Sequence, residues 1–243
     1  MSAQFELFEL PKSRKRPVPI LPRDSGKRLN ARLARKILKR AREAHAWDST
    51  FELQQAVVYF PSFLSRSYLI ELDLESATTG ACSALLFVSG AGIFPLSGSS
   101  NELQAIQSAP DFCVDRFDQA LDYLKLYCRA IGTDSGTFQI ISAASDIPWA
   151  TRAQLDPDKT RFVPIFAPSA IGSHEPELNQ TPRRIETSTL YLGNLFRSTF
   201  LIEPDGHIVM ENDHSICSNL PVYNEVYFNG VRCCTEFDPG DDG

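Results

Sequence analysis

The chain has 243 residues, 43% of them hydrophobic and 22% charged, a balance that excludes collagen, coiled coil and whole-chain disorder. It contains no run of 18 apolar residues, so no transmembrane helix is expected, and its N-terminal stretch lacks the apolar core of a secretory signal. The six cysteines (Cys82, Cys113, Cys128, Cys217, Cys233 and Cys234) form no CxxC pair, which suits a reducing cytoplasm better than a disulfide scaffold.

The net charge of −6 conceals two regions of opposite sign. Residues 1–45 hold 13 Lys and Arg against 4 Asp and Glu, and the remainder holds 11 against 26. This asymmetry predicts a basic N-terminal arm over 1–46, a single acidic body over 47–235 and a frayed acidic tail over 236–243. Pro11, Pro17, Pro19 and Pro22 lack N–H donors, so this stretch is expected as an extended tether. Leu29, Leu33, Ile37 and Ala41 then recur every four residues, predicting a helix over 29–46 capped by Asp24 or Ser25. Cations fill the rest of its circumference. Lys12, Arg14, Lys15, Arg16, Lys27, Arg28, Arg32, Arg35, Lys36, Lys39, Arg40 and Arg42 are therefore the candidate contacts to nucleic acid or to an acidic partner protein. The competing reading is a solvated helix lying on the acidic body. The apolar stripe is thin and has no aromatic before Trp47, which argues against a membrane. Without a helix-turn-helix, zinc-finger or RNP pattern, base-specific readout is not expected.

Ser49-Thr50-Phe51-Glu52 fits a capping box and predicts a short helix over 51–59, although 57–60 also suits a strand. Ile70, Leu72 and Leu74 alternate with Glu71, Asp73 and Glu75, which predicts a half-buried strand with a wet acidic face. Residues 84–88 and 93–96 read as a hairpin. Ser99-Ser100-Asn101-Glu102 opens a short helix through Gln107. The clearest helix spans 115–131, with Phe117, Ala120, Leu121, Leu124, Cys128 and Ile131 on one face. Residues 137–142 and 161–167 read as strands, and 168–184 as a long loop. Pro204-Asp205-Gly206 suits a three-residue hairpin turn. It pairs Glu203 with His207, Ile202 with Ile208, Phe200 with Met210, Thr199 with Glu211 and Arg197 with Asp213. Asn229-Gly230 marks a last hairpin, in which Cys233 and Cys234 point to opposite sides, one buried and one exposed. Strands joined by tight turns, without βαβ alternation, predict an α+β fold with a mainly antiparallel sheet and helices on one face.

Chemistry has few footholds. Asp24-Ser25-Gly26-Lys27 lacks the upstream glycine and strand of a phosphate loop, and Gly90-Ala91-Gly92 precedes a strand rather than a helix. His207, Glu211, Asp213, His214 and Cys217 form the densest set of potential metal ligands. Cross-strand ion pairing accounts for the same residues. Cys217, three residues after His214, is the one thiol with a nearby base in sequence. No cofactor is implied. The expected function is a non-enzymatic adaptor, its basic arm on nucleic acid or an acidic partner and its body docked in a complex. The alternative is a metal-dependent hydrolase, most plausibly a nuclease.

Overall fold

The structure, a computed structural model, describes residues 15–45, 50–133, 136–150, 163–171 and 183–236. A seven-stranded antiparallel sheet contains β1 (Gly26–Arg28), β2 (Glu52–Tyr59), β3 (Tyr68–Ser76), β4 (Gly80–Ser89), β5 (Gly92–Leu96), β13 (Tyr223–Phe228) and β14 (Val231–Glu236). Its order is β1-β2-β3-β4-β14-β13, with β5 also paired to β4. β6 (Gly132–Thr133) and β7 (Gly136–Thr137) form a ribbon. A five-stranded sheet holds β8 (Gln139–Ile141), β9 (Ser169–Ile171), β10 (Arg183–Tyr191), β11 (Asn194–Ile202) and β12 (Ile208–Cys217). The helices are α1 (Ala31–His45), α2 (Gln104–Gln107) and α3 (Phe117–Ala130). This is an α+β architecture in which strand predominates and all the sheets are antiparallel.

The large sheet is covered on both faces. Ala34, Ile37, Leu38 and Ala41 of α1 pack on Ala56, Val58, Ile70, Leu72 and Leu74. Val57, Tyr59, Leu69, Leu85 and Phe87 face the other way, onto Ile20, Leu21 and α3. The far side of α3 meets Ile140, Ile185, Phe200, Ile202 and Ile208 of the second sheet. The layers are thus α1, large sheet, α3 with the strap of residues 17–21, and second sheet. Residues 15–45 belong to this body. The expected tether buries Ile20 and Leu21, and the expected arm helix is one wall of the core. Asn30 caps that helix, its Oδ1 accepting from Leu33 N at 2.9 Å, in place of Asp24 or Ser25.

Burial on both faces explains several further corrections. Residues 52–59 form β2, not a helix, because Ala56 and Val58 serve one layer while Val57 and Tyr59 serve the other. The acidic face of β3 is wet only at Glu75, since Glu71 and Asp73 are 3% and 4% exposed. Cys233 and Cys234 point to opposite faces, yet both are buried because both faces are covered. On α3, Phe117 stays exposed, while Tyr123 and Leu126 are fully buried between the two sheets. Residues 163–168 are not strand; β9 lies just after them, within the expected loop, and residues 172–182 lie outside the described set.

A cluster of charge organises the interior. Arg232 is 2% exposed. Its Nη2 donates to Glu71 Oε1 at 2.8 Å, to Val18 O at 2.8 Å and to Ser83 Oγ at 3.2 Å. Its Nη1 lies 3.4 Å from Glu225 Oε2, an ionic contact rather than a hydrogen bond. Burial works against the guanidinium charge, but Glu225 and Glu71 more than offset it and hold the group above its ordinary pKa. The proline alternation fits this site. Pro17 and Pro19 offer no N–H, while Val18 N donates to Glu225 at 2.6 Å and Ile20 N to Glu71 at 3.4 Å. Arg129 Nη1 binds the Val18 and Pro19 carbonyls at 2.8 and 3.0 Å. Asp73 takes Arg16 and Arg23 at 3.1 and 2.9 Å.

The hairpins follow their turn chemistry. Gly206 has φ +87°, and Glu203 N donates to His207 O at 2.9 Å, closing the three-residue loop. The expected register holds for Ile202–Ile208 and Phe200–Met210. A bulge at Glu211 then shifts it, so Thr199 faces Asn212, Ser198 faces Asp213 and Arg197 faces His214. Asn229 and Gly230, at φ +49° and +78°, join Phe228 directly to Val231.

Two stability outcomes are expected. A Cβ on Gly206 would lie 2.7 Å from Phe112 Cζ at positive φ, so Gly206→Val should lower stability by roughly 2–5 kcal/mol in denaturant unfolding. Arg232→Met leaves two buried carboxylates uncompensated and should cost about 3–5 kcal/mol or prevent folding, whereas Arg232→Met with Glu71→Leu and Glu225→Leu should recover most of the loss. Equal stability of the single variant and the wild type would show that the cluster contributes nothing.

Candidate functional site

The basic residues of the sequence are divided by the fold into two groups. One faces inward. Arg16 and Arg23 bind Asp73, Arg42 donates to the Phe51 carbonyl, and Lys15 lies over the Tyr223 ring at 5.1 Å. These four are engaged with the body itself, and nothing in sequence spacing separates them from the rest. Lys12 and Arg14 lie outside the described residues. The second group faces outward. Lys27 and Arg28 sit on the edge strand β1, and Arg32, Arg35, Lys36, Lys39 and Arg40 are exposed on α1.

The outward group is fixed in space because the opposite side of α1 is anchored. Apolar Ala34, Ile37, Leu38 and Ala41 recur at helical spacing and are buried on the sheet. The cations therefore project from a rigid wall. One intrahelical ion pair is formed, Lys39–Glu43 at 3.7 Å, with both partners exposed. Arg28, Arg32, Arg35, Lys36 and Arg40 have no carboxylate partner among the described residues.

Beside this basic face runs an apolar groove of about 510 Å³. Leu29, just before α1, with Leu33 and Ile37 of α1 forms one wall, and Val88 and Ile93 of the β4–β5 hairpin the other. Phe60 and Tyr68 close one end, with ring centroids 5.9 Å apart. Phe60 is 59% and Leu33 43% exposed. Arg40 lines the groove, and Lys27 Nζ stands 5.8 Å from the Phe60 ring. No acid lines it. The sequence reading missed this groove because its walls come from segments separated in sequence.

The candidate metal ligands are not brought together. No group of three His, Cys, Asp or Glu side chains able to hold a metal forms among the described residues. Glu211 is taken by Arg184, Nε to Oε2 at 2.9 Å. Arg197 pairs with Glu186 at 2.7 Å and lies over the Phe166 ring, so its expected partnership with Asp213 does not form. His207 Nδ1 is 3.7 Å from Glu203, both well exposed. His214 is exposed, while Cys217 packs beside Leu195 and burial pushes its thiol up, away from nucleophilic use. Burial pushes Cys128 and Cys234 up to about 12.

No protein family, curated protein or solved structure matches this chain.

His207→Ala and Asp213→Ala remove exposed side chains with weak or no ionic partners, so the denaturation midpoint should stay within error of wild type. Loss of stoichiometric metal from the purified protein in either variant would restore the metal reading.

Proposed function

We propose that this protein is a non-enzymatic accessory subunit of a cytoplasmic complex. In this reading its basic outer face contacts a polyanion, either the nucleic-acid backbone or an acidic partner protein. The observation that carries it is the exposed face of α1 and β1, where five cations lack carboxylate partners among the described residues although the chain as a whole is net −6. An acidic body could have neutralised its own helix through cheap surface pairs, and among the described residues only Lys39 is paired, with Glu43. Displaced counterions would provide the driving force on nucleic acid. The neighbouring groove, apolar within and cationic at its rim, supports the partner-protein form, since a docked segment could bury apolar side chains there while its acids meet Lys27 and Arg40. The six free cysteines, four of them buried, support a reducing compartment.

The test compares wild type with Lys36→Glu/Arg40→Glu by fluorescence anisotropy, using a labelled DNA duplex and a labelled poly-glutamate peptide. Both side chains are exposed, so the melting temperature should not move. Affinity for the preferred polyanion should fall at least tenfold or so, and the slope of log K against log salt should become shallower by about 2 for a duplex. Equal binding by variant and wild type would refute the basic face as the contact.

A further inference from the structure

On the opposite side of the large sheet from α1, a cleft of about 620 Å³ opens between the strap of residues 18–23, α3 and the segment after β8. Such a volume suits a small molecule. Lys125 and Arg129, one turn apart on α3, both line it, together with Arg23, Ser142, Asp146 and Trp149.

Arg129 is 8% exposed and forms no ion pair among the described residues. One nitrogen, Nη1, is consumed by the Val18 and Pro19 carbonyls. Its Nε and Nη2 have no hydrogen-bond partner among the described residues. Burial of the residue drives the guanidinium pKa down. Lys125 likewise has no carboxylate partner among the described residues. The one acid in the lining, Asp146, is turned to its own loop, where Ser142 N and Ala143 N donate to Oδ2 at 3.0 and 2.9 Å.

The surrounding charge does not cancel. Arg16, Arg23, Arg129 and Arg232 face Glu71, Asp73 and Glu225, four cations against three anions, and Lys125 offsets Asp146. The surplus is positive inside a chain of net −6. Arginine presents a planar fork of donors and lysine a compact point charge, a pairing suited to phosphate oxygens. The Ser142 hydroxyl adds a neutral donor, and the Trp149 ring adds a flat wall.

We infer that this cleft is a binding site for a phosphate-bearing small molecule, with Arg129 and Lys125 as its principal anion contacts. The site is independent of the basic outer face, because the large sheet separates the two.

Isothermal titration calorimetry of the full chain with inorganic pyrophosphate tests the site. Saturable binding is expected. Lys125→Gln, a partly exposed position whose loss should not unfold the chain, should weaken it about tenfold. Arg129→Lys should weaken it further, while Lys36→Glu on α1 should leave it unchanged. Adenosine diphosphate distinguishes the sources of phosphate. Tighter binding than pyrophosphate, with a change in Trp149 emission in a Trp47→Phe background, marks an organic phosphate. Equal affinity without that change marks the phosphate group alone, and either result upholds the site. Failure to saturate by about 10 mM pyrophosphate, or the same affinity in Lys125→Gln as in wild type, would overturn it.

Discussion

A guanidinium with 2% exposure cannot be left without counter-charges, and satisfying Arg232 fixes the position of four separate pieces of chain. Glu71 comes from the centre of the large sheet, Ser83 from the next strand, Glu225 from the last hairpin and Val18 from the strap. Apolar residues could fill the same volume with comparable stability, because desolvating three charges cancels much of their attraction. They would not specify which strand lies beside which. The pairing of β14 with β4 spans only two residues, Arg232 with Ser83 and Cys233 with Cys82. So short a ladder gains its register from the ionic contacts around it.

The same cluster explains the strap. A strand with alternating prolines cannot join a ladder on both sides. At 17–20 the alternation becomes useful, because the two N–H groups that remain are the two that reach carboxylates. The strap also shields Glu71 and Tyr59 from water and leaves Arg129 at the edge of the cleft. Structural charge and candidate ligand-binding charge are therefore continuous in this molecule. The exposed cations on α1 are different in kind, since, unlike Arg42, they support nothing behind them.

Local signals in the sequence were readable where local physics decides the outcome. The 204–206 and 229–230 turns, the 84–96 hairpin and the start of the 115–131 helix each depend on a few neighbouring residues. β10 was not legible, because Thr187, Ser188 and Thr189 look like loop residues until their hydroxyls are buried; Thr189 and Ser198 then bond each other and Ser188 accepts from Phe166 N at 2.8 Å. The largest misreading came from charge. Glu71 and Asp73 resemble solvent-facing residues, and Arg16 and Arg23 resemble a free arm, until Glu71 is seen to hold Arg232 and Asp73 to hold both arm arginines. Their sequence separations of 50 and 57 residues put that pairing beyond any periodicity argument. The candidate cleft and groove were hidden for the same reason.

The bonds from Val18 to Glu225 and Arg232 span 207 and 214 residues. During synthesis the strap leaves the ribosome long before its partners exist. At about 5–20 residues per second, Arg232 follows Val18 by roughly 10–45 s. Through that interval Glu71 lacks its arginine, while Asp73 already has Arg16 and Arg23. The large sheet therefore closes only once the last hairpin has been made, in a step of high contact order and correspondingly slow rate. Until then the first half of β4, before its pairing with β5, presents an open strand edge, which makes the last hairpin the protein's own protection against misassembly.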